Sequence, residues 1–182
     1  MSRSASAGAV VRSVALGLGS NLGDSGAILQ GALDDLQAAE GLEITGASAV
    51  YETDPVGGPD QPAFLNAVVL GRTSLRNHEL LAAAQAVEQR WHRRREVRWG
   101  PRTLDIDVLA IDDDQSDDPD LTIPHPLAHE RAFVLVPWLD ADPDAVIAGH
   151  GRVADLVAHV DTSGVRMTDL ALVVDRQPGS PA

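Results

Sequence analysis

The alternation of apolar and polar positions divides the chain into short blocks with two different periods. Residues 12–19 read as a strand, an apolar run that ends among Gly17, Gly19 and Gly23. From about Asp24 to Ala39, Ile28, Leu29, Leu33 and Leu36 recur at helical spacing. Strand character returns over 42–53 (LEITGASAVYET) and 64–73 (FLNAVVLGRT). Between them lies DPVGGPDQPAF, a long loop dense in proline and glycine. A helix follows, capped by Ser74 or Asn77 and running to about His92. Residues 103–111 form a fourth strand, and beyond 121 come short elements, a helix near 152–160 and an edge strand at 168–174.

The order βαββαβ, with one long β–β connection, predicts an α+β, ferredoxin-like sandwich with additional C-terminal elements. A chain of 182 residues suits one domain with a sizeable core, here over 11–175, after a loose lead-in over 1–10 and before a disordered tail at 176–182. The absence of cysteine excludes disulfides and thiolate metal ligands, and fits a reducing cytoplasm. No apolar run approaches the ~20 residues that span a bilayer. Arg12 and Ser13 interrupt the opening stretch, which makes it a poor signal peptide. A soluble protein without membrane contact is expected.

The net charge of −13 argues against a nucleic-acid binder. Its distribution changes the picture further. Every basic residue is arginine, and six of the fourteen fall between Arg90 and Arg102: Arg90, Arg93, Arg94, Arg95, Arg98 and Arg102. Only Glu96 opposes them there. On charge alone this is either a solvated helix end or a phosphate clamp, since guanidinium forks match phosphate oxygens. The stretch DDDQSDDPD at 112–120 reads as a solvated loop rather than a metal site.

In TLDIDVLAI, strand alternation sends Leu104, Ile106, Val108 and Ala110 one way and Asp105 and Asp107 the other. Two strand residues separate the carboxylates' backbones by about 6.6 Å, close enough to share a cation. All-oxygen ligation of this kind suits magnesium with phosphates completing the shell. The plainer alternative is an acidic strand face. Beside the arginine cluster, the pair points to phosphoryl transfer, which works by positioning and charge stabilisation.

RWGPRTLDIDVL (98–109) resembles the signature of the 6-hydroxymethyl-7,8-dihydropterin pyrophosphokinases of folate biosynthesis. GLGSNLGD, YETDPVG with DQPAFLNAVV, and LTIPHPLAHERAFVL agree with the family in order and spacing, so the resemblance covers roughly residues 14–160. It implies the ferredoxin-like fold and transfer of pyrophosphate from ATP to the hydroxymethyl group of the dihydropterin, releasing AMP. It also implies a monomer that acts on small molecules in the cytoplasm. By position, Asp105 and Asp107 match the magnesium ligands, with two Mg2+ ions expected. Arg98 and Arg102 match phosphate contacts, and Arg93 and Arg95 match catalytic arginines on a loop that closes over ATP. Glu88, Thr122, His125 and Arg131 fall where the family contacts or orders the nucleotide.

The same resemblance implies a pterin pocket of Gly19, Thr53, Val56, Phe64, Asn66, Trp99 and Phe133. The chain has only six aromatic residues, and Phe64, Trp99 and Phe133 all fall inside the motifs. Two phenyl rings can sandwich a flat heterocycle, and Asn66 offers both donor and acceptor to its edge. Without the motifs, both phenylalanines would read as core. The chain departs from the family pattern at His92, where a glycine is common, and at Leu127, where an arginine is frequent.

Two alternatives stand beside this reading. VALGLGSNLGD looks like a dinucleotide turn, which would make the protein a nicotinamide-dinucleotide oxidoreductase. Its spacing, G-x-G-x-x-x-G, is one residue too long for that fingerprint, and the arginines and paired aspartates would lack a role. Gly17 and Gly19 are better explained as keeping side chains away from a bound pterin, while SNLGD turns the chain into the first helix. A ferredoxin-like ligand-binding module without turnover is the other alternative. The aspartates and arginines weigh against it.

Overall fold

The computed structural model describes residues 10–91 and 103–175. The expected lead-in before residue 10, the tail after 175, and His92, Arg93, Arg95, Arg98, Trp99 and Arg102 lie outside the described residues.

Strand β1 (Arg12–Ser20) leads through a turn to helix α1 (Ser25–Gln37), whose first turn is capped where Asp24 accepts the Ala27 N–H at 3.1 Å. The expected strand over 42–53 is two strands, β2 (Leu42–Ala47) and β3 (Ala49–Thr53). They break at Ser48, a buried residue whose hydroxyl accepts the Val68 N–H at 2.9 Å and donates to the Ala49 carbonyl at 2.7 Å. A side chain thus takes over part of the ladder at the bend.

Strand β4 (Phe64–Thr73) runs to helix α2 (Asn77–Arg90). Neither Ser74 nor Asn77 caps it: Arg76 is the cap residue, and Glu79 reaches back to accept the Arg76 N–H at 2.8 Å. Asn77 instead accepts from the Arg12 guanidinium at 2.8 Å. Strand β5 is Asp105–Ile111, two residues shorter at its start than expected. Part of the acidic stretch is not loop but strand β6 (Ser116–Asp118), paired with β7 (Leu121–Ile123).

The remaining elements are a 3-10 turn (Ala128–Glu130), α3 (Ala132–Ala141), the short pair β8 (Val146–Ile147) and β9 (Gly151–Arg152), α4 (Val153–Val157) and the edge strand β10 (Val165–Ala171). Helix α4 is thus shorter than the helix expected over 152–160, and β10 begins and ends three residues before the strand expected over 168–174.

The main sheet runs β10-β3-β4-β1-β5, with β2 continuing along β4. All of its pairings are antiparallel. With β2 and β3 counted as one broken strand, the fold is the ferredoxin-like α+β sandwich. No parallel βαβ unit of the kind that holds a dinucleotide occurs among the described residues, which removes the structural basis of the oxidoreductase alternative.

Side-chain alternation gives the sheet two apolar faces. Val14, Leu16 and Leu18 of β1 join Leu29, Leu33 and Leu36 of α1, Leu80 and Val87 of α2, and Ile106 and Val108 of β5 in one cluster. Each such leucine buried contributes about 1.5–3 kcal/mol. On the other face, Ala15, Val68 and Leu109 meet Val134, Leu135 and Trp138 of α3. The cavity described next lies on this second face.

Candidate active site

Strand β5 does not keep its alternation to the end. Val14 pairs with Ile111 and Ala15 with Ala110, but Leu16 pairs with Val108, so Leu109 is an extra residue in the ladder. Leu104, Ile106 and Val108 face the first cluster as expected, whereas Ala110 joins the second beside Leu109. β5 is also an edge strand of the main sheet, so carbonyls on its outer side stay open to other segments. Leu109 O accepts the backbone N–H of His125 at 2.9 Å, which brings the chain after β7 up against β5.

Ahead of the bulge, Asp105 is paired with Gly19 and Asp107 with Gly17; on the other side of β1, Gly19 is paired with Asn66 and Gly17 with Val68. Cross-strand partners share a face. The two carboxylates and Asn66 therefore stand on either side of a strand without side chains at those positions. A Cβ at Gly19 would lie 2.7 Å from Asn66 Oδ1, whereas one at Gly17 would meet Leu109 at an ordinary 3.4 Å. The space above Gly19 belongs to the Asn66 carboxamide. Its Nδ2 donates to Thr53 Oγ1 at 2.6 Å, and Thr53 and Asn66 are both buried.

These residues line one cavity of about 1090 Å³. It brings together Asp105, Asp107, His125, Arg131, Gly19, Thr53, Val56, Phe64, Asn66 and Phe133 from the expected set. Phe133 is the second residue of α3, and the Arg131 guanidinium sits 5.5 Å from its ring centroid, a cation–π distance. Helix α3 is tied to β3 where Asp140 Oδ2 accepts the Ala49 N–H at 2.8 Å.

His125 is held mostly neutral. Burial lowers its pKa, the Arg131 charge lowers it further, and Asp105 opposes the shift. Its Nδ1 accepts the Leu127 N–H at 3.2 Å, so the neutral ring carries its proton on Nε2.

Glu88 and Thr122 stand away from the described lining. Glu88, 3 % exposed, lies behind β5 and accepts the Ile106 N–H at 2.8 Å, so it braces the strand between the two aspartates. Thr122 donates to the Asp118 carbonyl at 3.2 Å within the β6–β7 hairpin. The lining also includes residues that sequence reasoning left unassigned: Asp54, Gln61, Glu130, and Asp161, Ser163 and Gly164 near the C-terminus. The loop composition around 54–61 was the available signal for the first two. The third group had none beyond proximity in the fold.

Residues 15–143 match the model of the family described as 7,8-dihydro-6-hydroxymethylpterin-pyrophosphokinase (HPPK). The chain belongs to this family. It is 46% identical over 154 residues to the 2-amino-4-hydroxy-6-hydroxymethyldihydropteridine pyrophosphokinase of Methylorubrum extorquens, covering 85% of this chain and 97% of that one. With the Mycobacterium leprae protein of the same name it shares 41% identity over 186 residues, covering 93% and 94%. The fold is also that of Plasmodium falciparum HPPK-DHPS, wild type, solved with pterin and p-hydroxybenzoate. There the TM-score is 0.64 at 16% identity, over 82% of this chain and 42% of that chain. The chain thus spans less than half the length of that larger protein. As a family member it is an ATP-dependent pyrophosphokinase that acts on small molecules. Among the described residues, no helix is long and apolar enough to cross a membrane.

Proposed function

We propose that this cavity is where pyrophosphate passes from ATP to the hydroxymethyl group of 6-hydroxymethyl-7,8-dihydropterin, with release of AMP. One observation carries the reading. Two carboxylates, Asp105 and Asp107, share a cavity with an amide and two phenyl rings, separated from the amide by the bare backbone of Gly17 and Gly19. A polyanion and a flat heterocycle can lie side by side on such a floor.

At the pterin end, Asn66 presents a carboxamide already oriented by Thr53, which suits the donor and acceptor edge of a pterin. Phe64 and Phe133 supply flat apolar surface, and Val56 stands on the loop beside them. At the phosphate end, Arg131 supplies a fixed positive charge, and neutral His125 offers an Nε2–H donor rather than a base. Arg93, Arg95, Arg98 and Arg102 are proposed to complete this charge environment, with Trp99 at the pterin.

The donor set fits magnesium. Two hard oxygen ligands from one strand are the usual protein share for this ion, which keeps water and phosphate oxygens for the rest. No cluster of three or more His, Cys, Asp or Glu that could hold a metal occurs among the described residues. Asp105 and Asp107 would hold the two ions, which when bound neutralise phosphate charge. Glu88 keeps the strand that carries both carboxylates in place.

We further infer that the enzyme works as a monomer in the cytoplasm. The family supports the first, and the absence of cysteine, which suits a reducing compartment, supports the second. Incubation with ATP, magnesium and the hydroxymethyl-dihydropterin should yield AMP and the pyrophosphorylated pterin in equal amounts. Production of ADP, or no turnover, would overturn the reading.

A further inference from the structure

The cavity has a wall beyond residue 143, where the family match ends. Val160, Asp161, Ser163, Gly164 and Val165 turn back onto the end of β3 and line the cavity beside Thr53 and Asp54. The two segments are joined along their backbones. Val165 pairs with Thr53 and Arg166 with Glu52, and the Gly164 carbonyl accepts the Asp54 N–H at 3.0 Å.

Arg166 adds a side-chain clamp. Its Nη2 donates to Asp54 Oδ1 at 2.7 Å and to Glu52 Oε1 at 3.0 Å, and its Nη1 to Asp54 Oδ2 at 3.4 Å. Exposed ion pairs usually contribute little, but a two-pronged contact within a three-charge network is the arrangement that does. The guanidinium hydrogen bond holds the Asp54 carboxyl below the usual carboxylate range.

Asp54 opens the loop over 54–63, whose members Asp54, Pro55, Val56 and Gln61 line the cavity. The far end of that loop is held from a different direction. Asn21, 5 % exposed, donates to Gln61 Oε1 at 3.0 Å and to the Pro62 carbonyl at 2.9 Å. Between these holds, Gly57 and Gly58 take φ of 72° and 80°, and Val56 is 70 % exposed. The loop has two fixed ends and a free crown.

We propose that Arg166 is a positioning residue for the pterin: through Asp54 it fixes the start of the loop, Thr53 to Pro55, against the cavity. The inference rests on the reading that the pterin lies among Asn66, Phe64 and Phe133. Arg166 touches no reacting group, so its effect should fall on pterin KM.

The test is steady-state kinetics on the full chain with ATP, magnesium and the hydroxymethyl-dihydropterin. Arg166→Met keeps the aliphatic stem and removes the fork. It should raise the pterin KM about tenfold, the scale of one lost hydrogen bond to a charged group. ATP KM and kcat should stay within about twofold, and Arg166→Lys should recover part of the loss. In an Asp54→Ala background, Arg166→Met should have no further effect, because the two act as a unit.

An unchanged pterin KM, additive effects in the double variant, or equal losses in ATP KM would overturn the clamp. Phe133→Ala and Asn66→Ala separate the two levels. If both raise the pterin KM while Arg166→Met does not, the clamp alone is wrong. If neither raises it, the placement of the pterin is wrong and the clamp falls with it. Melting temperatures of all variants distinguish loss of fold from loss of position.

Discussion

The carbonyl of Leu109, the extra residue of the β5 bulge, accepts the backbone N–H of His125, sixteen residues further along the chain and across the β6–β7 hairpin.

 β5 lies at the edge of the sheet, where outward-facing carbonyls have no neighbouring strand. Here the Leu109 carbonyl anchors the segment that carries His125, Arg131 and Phe133 over the floor of the cavity.

Neutral His125 gives the enzyme a pH-dependent stability. Its pKa is held below the ordinary 6.5 by burial first and by Arg131 second, against Asp105. The unfolded chain therefore takes up a proton before the folded one does. This contribution is full above about 6.5 and is lost as pH falls from there through the folded value. In metal-free buffer, the melting temperature should drop between pH 7 and 5, and less so in His125→Gln. NMR titration of Arg131→Gln should show the imidazole pKa moving up.

Asp105→Asn and Asp107→Asn test the phosphate end. Each removes one charge while keeping the shape, so the fold should persist. Turnover should fall by about 10²-fold or more, the scale of losing one preorganised charge-stabilising group. Pterin binding without ATP should change little. AMP release near the wild-type rate in either folded variant would show that the carboxylates are not the metal ligands.

The two glycines of β1 should respond differently to the same methyl group. Gly19→Ala drives a Cβ to 2.7 Å from Asn66 Oδ1 and so displaces the carboxamide that Thr53 holds. Pterin affinity should weaken by about 1–3 kcal/mol, the range for an imperfectly paired buried polar group. Gly17→Ala meets Leu109 first, at ordinary contact distance, and should alter the melting temperature little. Calorimetry of pterin binding on both variants checks the contrast.

Phe133 packs against the second cluster yet is only partly buried, with one side of its surroundings open to the cavity. Phe133→Ala should weaken pterin binding by about 1–3 kcal/mol, as for loss of a base–aromatic stack. Its cost in stability should fall below the ~3–5 kcal/mol typical of a fully buried phenylalanine. A large drop in melting temperature with unchanged pterin affinity would make it a core residue.

The strands and helices of the central βαββαβ unit were legible because each follows one period over many residues. Leu29, Leu33 and Leu36 announce α1, and alternation in TLDIDVL places Asp105 and Asp107 on one face. The irregularities were not legible. The break at Ser48 and the bulge at Leu109 depend on which strand lies alongside, and nothing in the local pattern carries that. The motifs located most of the described cavity lining, but the placement of Glu88 behind β5 needed the fold. Arg166 and Asp54 stand 112 residues apart, and their contact exists only because β10 pairs with β3.

On the cavity face of β1, Ala15, Gly17 and Gly19 follow one another, and the strand is bound on both sides, by β4 and β5. The middle of the floor is consequently peptide backbone already locked in two ladders. Long side chains lose rotameric freedom when a ligand settles on them, at about 0.5–1.5 kcal/mol each. Gly17 and Gly19 have none to lose. The ordering entropy of binding is therefore displaced outward, to the phenyl rings and to the crown of the loop at Val56, while the centre of the floor has no side chain to order.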